Sequence, residues 1–127
     1  DHPLLRPCRR LLEAHAAGRV AAATTVEAIQ EFAHIQGRRR TRSRAVDLAT
    51  QYAASLQLLT ATPDDLDRGL RLFGAHPRLG SFDAVLAAVA IGLGAEALVS
   101  ADVGFAGIPG LRWIDPATPA LDALIAT

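Results

Sequence analysis

Apolar positions along the chain fall into two alternating patterns, helical stripes and short unbroken runs. HPLLRPCRRLLEAHAAG places Leu4, Leu5, Leu11 and Leu12 near helical spacing and ends at Gly18, which predicts a helix with a glycine stop. RVAAAT is a short apolar run and predicts a buried strand. In TTVEAIQEFAHIQG, Thr24 or Thr25 can cap a helix whose apolar side holds Val26, Ile29, Phe32 and Ala33. SRAVDLATQYAASLQL repeats Ala45, Leu48, Ala49, Tyr52 and Leu56 at helical spacing. LLTATP predicts a second strand, its proline set where a following helix starts. PDDLDRGLRLFGAH carries acids in its first turn, as the helix dipole favours. SFDAVLAAVAIGLG is apolar on every side behind a Ser81 cap, which predicts a central helix. EALVS and LRWID predict two more strands, and a short helix is expected from Pro116.

Strands separated by helices imply parallel pairing through right-handed crossovers. Uninterrupted apolar strands fit a sheet covered on both faces. The expected fold class is therefore α/β, a three-layer α/β/α domain with a mainly parallel central sheet, occupying residues 1–127 as a single domain. In open sheets of this kind the site lies outside the carboxyl ends of the strands.

Bulk composition narrows the function classes. The chain has 127 residues, half of them hydrophobic, with a formal net charge of zero. That is a globular composition, and it exerts no global pull on nucleic acid, so any such attraction must be local. A single cysteine, Cys8, rules out an intramolecular disulfide or a thiolate metal cluster and fits a reducing, cytoplasmic setting. The apolar run Ala84–Ala95 is shorter than the ~17–25 residues of a membrane helix, so no membrane association is expected.

Candidate chemistry sits in the acids. Asp102 follows the predicted strand EALVS at its carboxyl end, with Ser100 two residues earlier and able to hydrogen-bond nearby. Taken alone it is equally well a turn aspartate. Asp83 lies in the first turn of the apolar helix, where an acid also stabilises the dipole by ~0.3–1 kcal/mol. A helix entering the core beside the carboxyl edge of the sheet brings that turn to the region of Asp102. Glu31 stands mid-helix in IQEFAH, and Glu27 shares its face. Taken alone, a helical glutamate is most often solvated. Two unit charges 4 Å apart at an effective dielectric of 20 repel by about 4 kcal/mol, so converging carboxylates call for protons or a hard cation. Mg²⁺ or Mn²⁺ suits oxygen ligands, and the chemistry they support is phosphodiester hydrolysis.

TTVEAIQEFAHI, LGSFDAVLAAVAIGLGAEALVSADVGFAG and the closing LRWIDP resemble the PIN-domain family, and more narrowly its VapC-type toxins. The similarity runs over nearly the whole chain, and the spacing of Glu31, Asp83 and Asp102 is its specific part. The resemblance implies a ribonuclease whose acidic site holds Mg²⁺ or Mn²⁺ through Glu31, Asp83 and Asp102, with Ser100 as a supporting hydroxyl and Phe105 as the aromatic after the last acid. It also implies a homodimer and a cognate antitoxin protein that blocks the site. The family's opening strand bears an Asp-Thr-Asn-like motif whose aspartate is the first metal ligand. The sequence starts at DHPLL, where that strand is expected to have ended, and Asp1 does not match the aspartate. Val103 and Gly104 stand where many relatives carry a charged residue.

GRRRTRSR packs Arg38, Arg39, Arg40, Arg42 and Arg44 into positions 37–44. Such a run is a solvated interhelical turn, an RNA-phosphate patch beside the acidic site, or a contact for an acidic partner. The four histidines have no metal-ligand spacing, and Trp113 alone makes no stacking platform for bases. The helices at 3–17 and 42–58 are the expected dimer surface. Two other readings remain open at this level. One is a catalytically incomplete PIN-like module that binds protein, and the other is an aspartate-dependent phosphohydrolase of α/β architecture.

Overall fold

A computed structural model describes residues 5–126. The expectations for Asp1 and Leu4 fall on residues outside that range. The elements are α1 (Leu5–Ala16), β1 (Ala23–Thr25), α2 (Val26–Arg39), α3 (Arg42–Ser55), β2 (Gln57–Leu59), α4 (Pro63–Ala75), α5 (Ser81–Leu93), β3 (Leu98–Val99), a 3₁₀ turn at Val103–Phe105, β4 (Trp113–Ile114) and α6 (Pro119–Ile125). Helices, often in consecutive pairs, are interspersed with short strands that form two two-stranded sheets among the described residues, both parallel. β1 runs beside β2 with Thr25 opposite Leu59, and β3 beside β4 with Val99 opposite Ile114. This is the α/β class the alternating pattern predicts. Among the described residues no helix is long and apolar enough to cross a membrane.

Contacts divide the chain into two compact units, an N-terminal one of residues 11–60 and a C-terminal one of residues 61–126 with the start of α1 through Arg10. The N-terminal unit is a β1–α2–α3–β2 arrangement. Thr25 ends β1 and caps α2, its buried hydroxyl accepting from the Ala28 N–H at 3.0 Å. Thr41 does the same for α3, accepting from Arg44 N–H at 3.1 Å. Each such cap stabilises its helix by about 1 kcal/mol. Ala45 and Ala49 are the buried residues of α3, and Phe32 of α2 meets Tyr52 of α3 edge to face with ring centres 5.0 Å apart. Small residues on α3 and an aromatic pair thus join the two helices.

In the C-terminal unit, Thr62 and Asp65 form a reciprocal capping box at the start of α4, with bonds of 3.2 and 2.9 Å, and Pro63 opens the helix. Gly69 lets α4 lie directly on α5, since a Cβ there would stand 2.8 Å from Val85 Cα. Ala84, Ala87, Ala88 and Val89 of α5 are buried, which is the central helix expected from its all-round apolar sequence. Leu79, Ala84, Ala87, Leu98, Phe105 and Ile108 form one core cluster around it. Cys8 on α1 is half-buried, and burial pushes its thiol pKa up.

Several boundaries differ from the sequence expectation, among them the first strand, which is Ala23–Thr25 rather than RVAAAT. The second strand is Gln57–Leu59, earlier than LLTATP, because pairing with Ala23–Thr25 fixes the register. Gly80 rather than Ser81 caps α5, and its carbonyl accepts from Ala84 N–H at 2.9 Å. The last helix starts at Pro119, not Pro116. The Asp115 carboxylate takes the Ala117 N–H at 2.9 Å and makes a turn there, and Thr118 then precedes the helix.

Candidate active site

β3 and β4 are short, but their ladder continues past the strand end, with Ser100 N–H donating to the Ile114 carbonyl at 3.1 Å. Trp113 donates its indole N–H to the Ser100 carbonyl at 2.8 Å, so Trp113 serves this junction rather than a base-stacking surface. Ser100 is therefore held through its main chain on two sides. Its hydroxyl accepts from Asp102 N–H at 3.1 Å, and Asp102 Oδ1 in turn accepts from Gly104 N–H at 2.9 Å, capping the 3₁₀ turn. Asp102 is exposed at the carboxyl end of β3.

In the sequence Gly104 reads only as a missing charge, and the structure supplies the steric reason for it. A Cβ on it would lie 2.8 Å from the Arg78 carbonyl oxygen and 3.1 Å from Asp102 Oδ1. No side chain fits there, charged or otherwise, which accounts for the glycine where many relatives were expected to carry a charged residue. The Asp-x-Gly spacing, an acid capping a turn two residues on, was the available signal. Phe105 follows and is 1% exposed in the core cluster with Leu79. The Asp102 turn is thus seated on residues 78–79, the segment that leads into α5.

Asp83 is the third residue of α5, half-buried in its first turn. The C-terminal unit therefore holds Asp83 and Asp102 on neighbouring stretches of chain, one on the helix entered from residues 78–80 and the other on the turn packed against residue 78. Glu31 belongs to the N-terminal unit, where it is exposed mid-helix on α2, one residue before the Phe32 that anchors α2 to α3. Glu27, on the same face, is half-buried in the first turn.

The donor set is oxygen throughout, two carboxylates and a hydroxyl in the C-terminal unit and a carboxylate on α2. That chemistry fits a hard divalent cation. Among the described residues no three His, Cys, Asp or Glu side chains are gathered closely enough to hold a metal ion by themselves. Mg²⁺ is commonly bound by one or two carboxylates with several waters and substrate phosphate, so Asp83 and Asp102 do not conflict with it.

The arginine run lies at the α2–α3 turn. Arg38 and Arg39 fill the last turn of α2, Arg40 caps it, and Arg42 opens α3. Arg38, Arg39, Arg40 and Arg42 are all exposed. Arg40 is held by Gln36, its Nε donating to Oε1 at 2.9 Å. The ion pairs among the described residues, Arg10 with Asp122 and Arg71 with Asp67, leave these arginines without a carboxylate. A shallow cavity of about 370 Å³ opens between the two helices, lined by Ala33, His34, Gly37, Arg38, Arg42, Ala45 and Val46.

Comparison with known proteins gives the family. The model of the family described as PIN domain matches residues 1–111. Ribonuclease VapC7 of Mycobacterium tuberculosis (strain ATCC 25618 / H37Rv) is 44% identical over 127 residues, an alignment covering 98% of this chain and 88% of that protein. No solved structure matches the chain. The chain belongs to the PIN-domain family, and within it to the VapC type.

Proposed function

We propose that the protein is an endoribonuclease toxin of a toxin–antitoxin pair, hydrolysing RNA phosphodiester bonds with Mg²⁺ or Mn²⁺ and neutralised by a cognate antitoxin protein. The observation that carries this reading is the seating of the Asp102 turn on the segment leading into α5, whose first turn bears Asp83. The likeness to a protein named a ribonuclease supports it. In this reading the two units belong to a single domain, and the family match, residues 1–111, includes residues of both.

Asp83, Asp102 and, from α2, Glu31 are the residues assigned to the ion. When bound, it would supply charge stabilisation at a phosphoryl oxygen and lower the pKa of an attacking water. Ser100 is a positioning residue. Its hydroxyl receives the Asp102 N–H and so fixes the main chain from which the carboxylate projects. Arg38, Arg39, Arg40 and Arg42 are assigned to RNA phosphates, since a polyanion approaching several carboxylates needs fixed positive charge close by.

A homodimer is part of the proposal. Among the described residues, α4 carries three exposed large apolar side chains at helical spacing, Leu66 50%, Leu70 52% and Phe73 47% exposed, which makes it the proposed dimer surface. An Asp67–Arg71 pair flanks that stripe at 2.6 Å. Two α4 helices packed antiparallel about a two-fold axis would set Leu66 near the partner copy's Phe73 and Asp67 near its Arg71. The flank is thus complementary to itself, as an isologous interface requires.

The test is Asp83→Asn. RNA cleavage with added Mg²⁺ should fall below detection while the thermal midpoint changes little, because asparagine keeps the shape of aspartate and an acceptor oxygen. Cleavage near the wild-type rate would remove Asp83 from the site. Cleavage by the unmodified chain that survives a chelator would remove the metal.

A further inference from the structure

We propose that Arg78 is a further catalytic residue of this site, its guanidinium contacting the phosphoryl oxygens of the RNA phosphodiester held at Asp83 and Asp102. The proposal rests on the ribonuclease reading above and adds to it a cation from the same structural unit as the two aspartates.

Local sequence fixes the main chain of Arg78. His76-Pro77-Arg78-Leu79 is a β-turn closed by Leu79 N–H on the His76 carbonyl at 3.0 Å, with proline in the second position, where its fixed φ suits a turn. The turn is tied down at both ends. His76 ends α4, its N–H donating to the Leu72 carbonyl at 2.9 Å, and Leu79 is 2% exposed in the core. Between them, the Arg78 carbonyl oxygen lies 2.8 Å, and Asp102 Oδ1 3.1 Å, from the place where a Gly104 Cβ would stand. The Arg78 main chain and the Asp102 carboxylate therefore share one glycine as a neighbour. In the other direction the chain runs from Arg78 through Gly80 into the first turn of α5, which bears Asp83. Arg78 is thus the position where the two acid-bearing segments meet.

Its side chain is available. Arg78 is exposed, and among the described residues its guanidinium has no carboxylate in ion-pair range, Asp102 included. An arginine that stands beside a carboxylate without closing on it leaves the guanidinium to an incoming anion and the carboxylate to a cation. Other arginines of this unit are placed differently. Arg10 is paired with Asp122 and Arg71 with Asp67. Arg112 stands at the amino ends of β3 and β4, its carbonyl accepting from Leu98 N–H at 2.9 Å, which is the far end of those strands from Asp102.

The reaction supplies the anion. Hydrolysis joins the oxygen of a water to phosphorus as the bond from phosphorus to the leaving oxygen breaks, one proton of that water ending on the leaving oxygen and the other on the new phosphate group. Negative charge gathers on the two non-bridging oxygens during that exchange. A guanidinium meets two such oxygens at once with parallel N–H donors, a fit that a lysine ammonium does not reproduce. Bonds of this kind strengthen as the charge develops, so they act on kcat more than on KM.

The experiment uses the full chain as wild type, Arg78→Ala and Arg78→Lys, with a labelled RNA pool of random sequence. Cleavage is followed with added Mg²⁺ or Mn²⁺, and binding by fluorescence anisotropy in chelator, where nothing is cut. Arg78→Ala should lower kcat about 100-fold with KM within about threefold, the loss typical of one removed charge-stabilising donor. Arg78→Lys should fall between the two, since it keeps the charge and loses the fork. In chelator, Arg78→Ala should reduce the slope of log affinity against log salt by roughly 0.7, and Arg78→Lys should keep it. Both variants should melt near the wild-type temperature, because the turn and the Gly104 contact use only the main chain of Arg78. An Arg78→Ala protein cutting within about twofold of wild type would overturn the proposal and leave the ribonuclease reading standing. So would a loss of cleavage with an unchanged salt slope, or an Arg78→Lys protein no more active than Arg78→Ala. A wild-type chain that cuts no RNA in the pool would overturn the ribonuclease reading, and the proposal with it.

Discussion

Replacing Gly104 with alanine puts one methyl group into a place that has none to spare. The new Cβ would stand 2.8 Å from the Arg78 carbonyl oxygen and 3.1 Å from Asp102 Oδ1. The first neighbour is main chain, fixed by Leu79, which is 2% exposed in the core, so it cannot swing aside. The second is the oxygen that accepts the Gly104 N–H at 2.9 Å, and pushing it away breaks the cap of the 3₁₀ turn. Overpacking of this kind costs ~1–3 kcal/mol and a lost cap ~0.5–2 kcal/mol, so about 1.5–5 kcal/mol in total. For a domain of this size that is a fall in Tm of roughly 5–15 °C. Gly92→Ala is the control. Its Cβ would meet Arg68 Nη1 at 2.9 Å and Asp65 Oδ1 at 3.3 Å, nominally as short. Arg68 Nη1 is the far end of a flexible side chain and can move, and alanine in place of a helical glycine gains up to about 1 kcal/mol. Gly92→Ala should therefore melt at the wild-type temperature or a few degrees above it. Circular dichroism melts of the three proteins decide the matter. A Gly104→Ala protein melting within about 1 °C of wild type would refute the close seating of the Asp102 turn, since overpacking could not then approach even 1 kcal/mol. An equal fall in both variants would refute the distinction between fixed and movable neighbours.

Asp102→Asn should keep the turn cap, because an amide oxygen accepts from Gly104 N–H as well as a carboxylate does, while removing the charge; Asp102→Ala should lose both, melting lower by an amount equivalent to ~0.5–2 kcal/mol. RNA cleavage should be lost in both variants, and an active Asp102→Asn protein would limit Asp102 to its turn. Arg39→Ala with Arg40→Ala should reduce the slope of log affinity against log salt for oligouridylate by roughly 0.7 for each phosphate no longer neutralised, and an unchanged slope would return these two side chains to a solvated turn. Leu70→Glu, in the middle of the exposed α4 stripe, should convert the dimer to a monomer in analytical ultracentrifugation with an unchanged far-ultraviolet spectrum. A wild-type chain that sediments as a monomer, or a variant that stays dimeric, would sink the α4 interface.

What the amino-acid pattern disclosed, and what it hid, divides along the range of the interactions involved. The helices were legible because their signals are local. Thr25 caps α2 and Thr62 with Asp65 boxes α4 through groups three residues apart. The all-round apolarity of α5 announced its burial, and Ala84, Ala87 and Ala88 are at 0% exposure. Strand limits were less legible because they depend on a partner far along the chain. Gln57–Leu59 is a strand through its register with Ala23–Thr25, although Leu58 itself is 43% exposed. The start of α6 was hidden by a tie between two prolines, Pro116 and Pro119, which the Asp115 side chain breaks by taking the Ala117 N–H. The candidate site has both kinds of signal. SAD at a strand end and an acid in the first turn of a central helix could be read locally. The reason Gly104 is a glycine could not, since its steric neighbour is Arg78, far back along the chain. Asp102 also dissolves a choice that the sequence poses between a turn residue and a metal ligand. A carboxylate has two oxygens, and Oδ1 alone serves the turn. The bond that makes Asp102 look structural is the one that would hold its second oxygen in a fixed place, which is what a ligand needs.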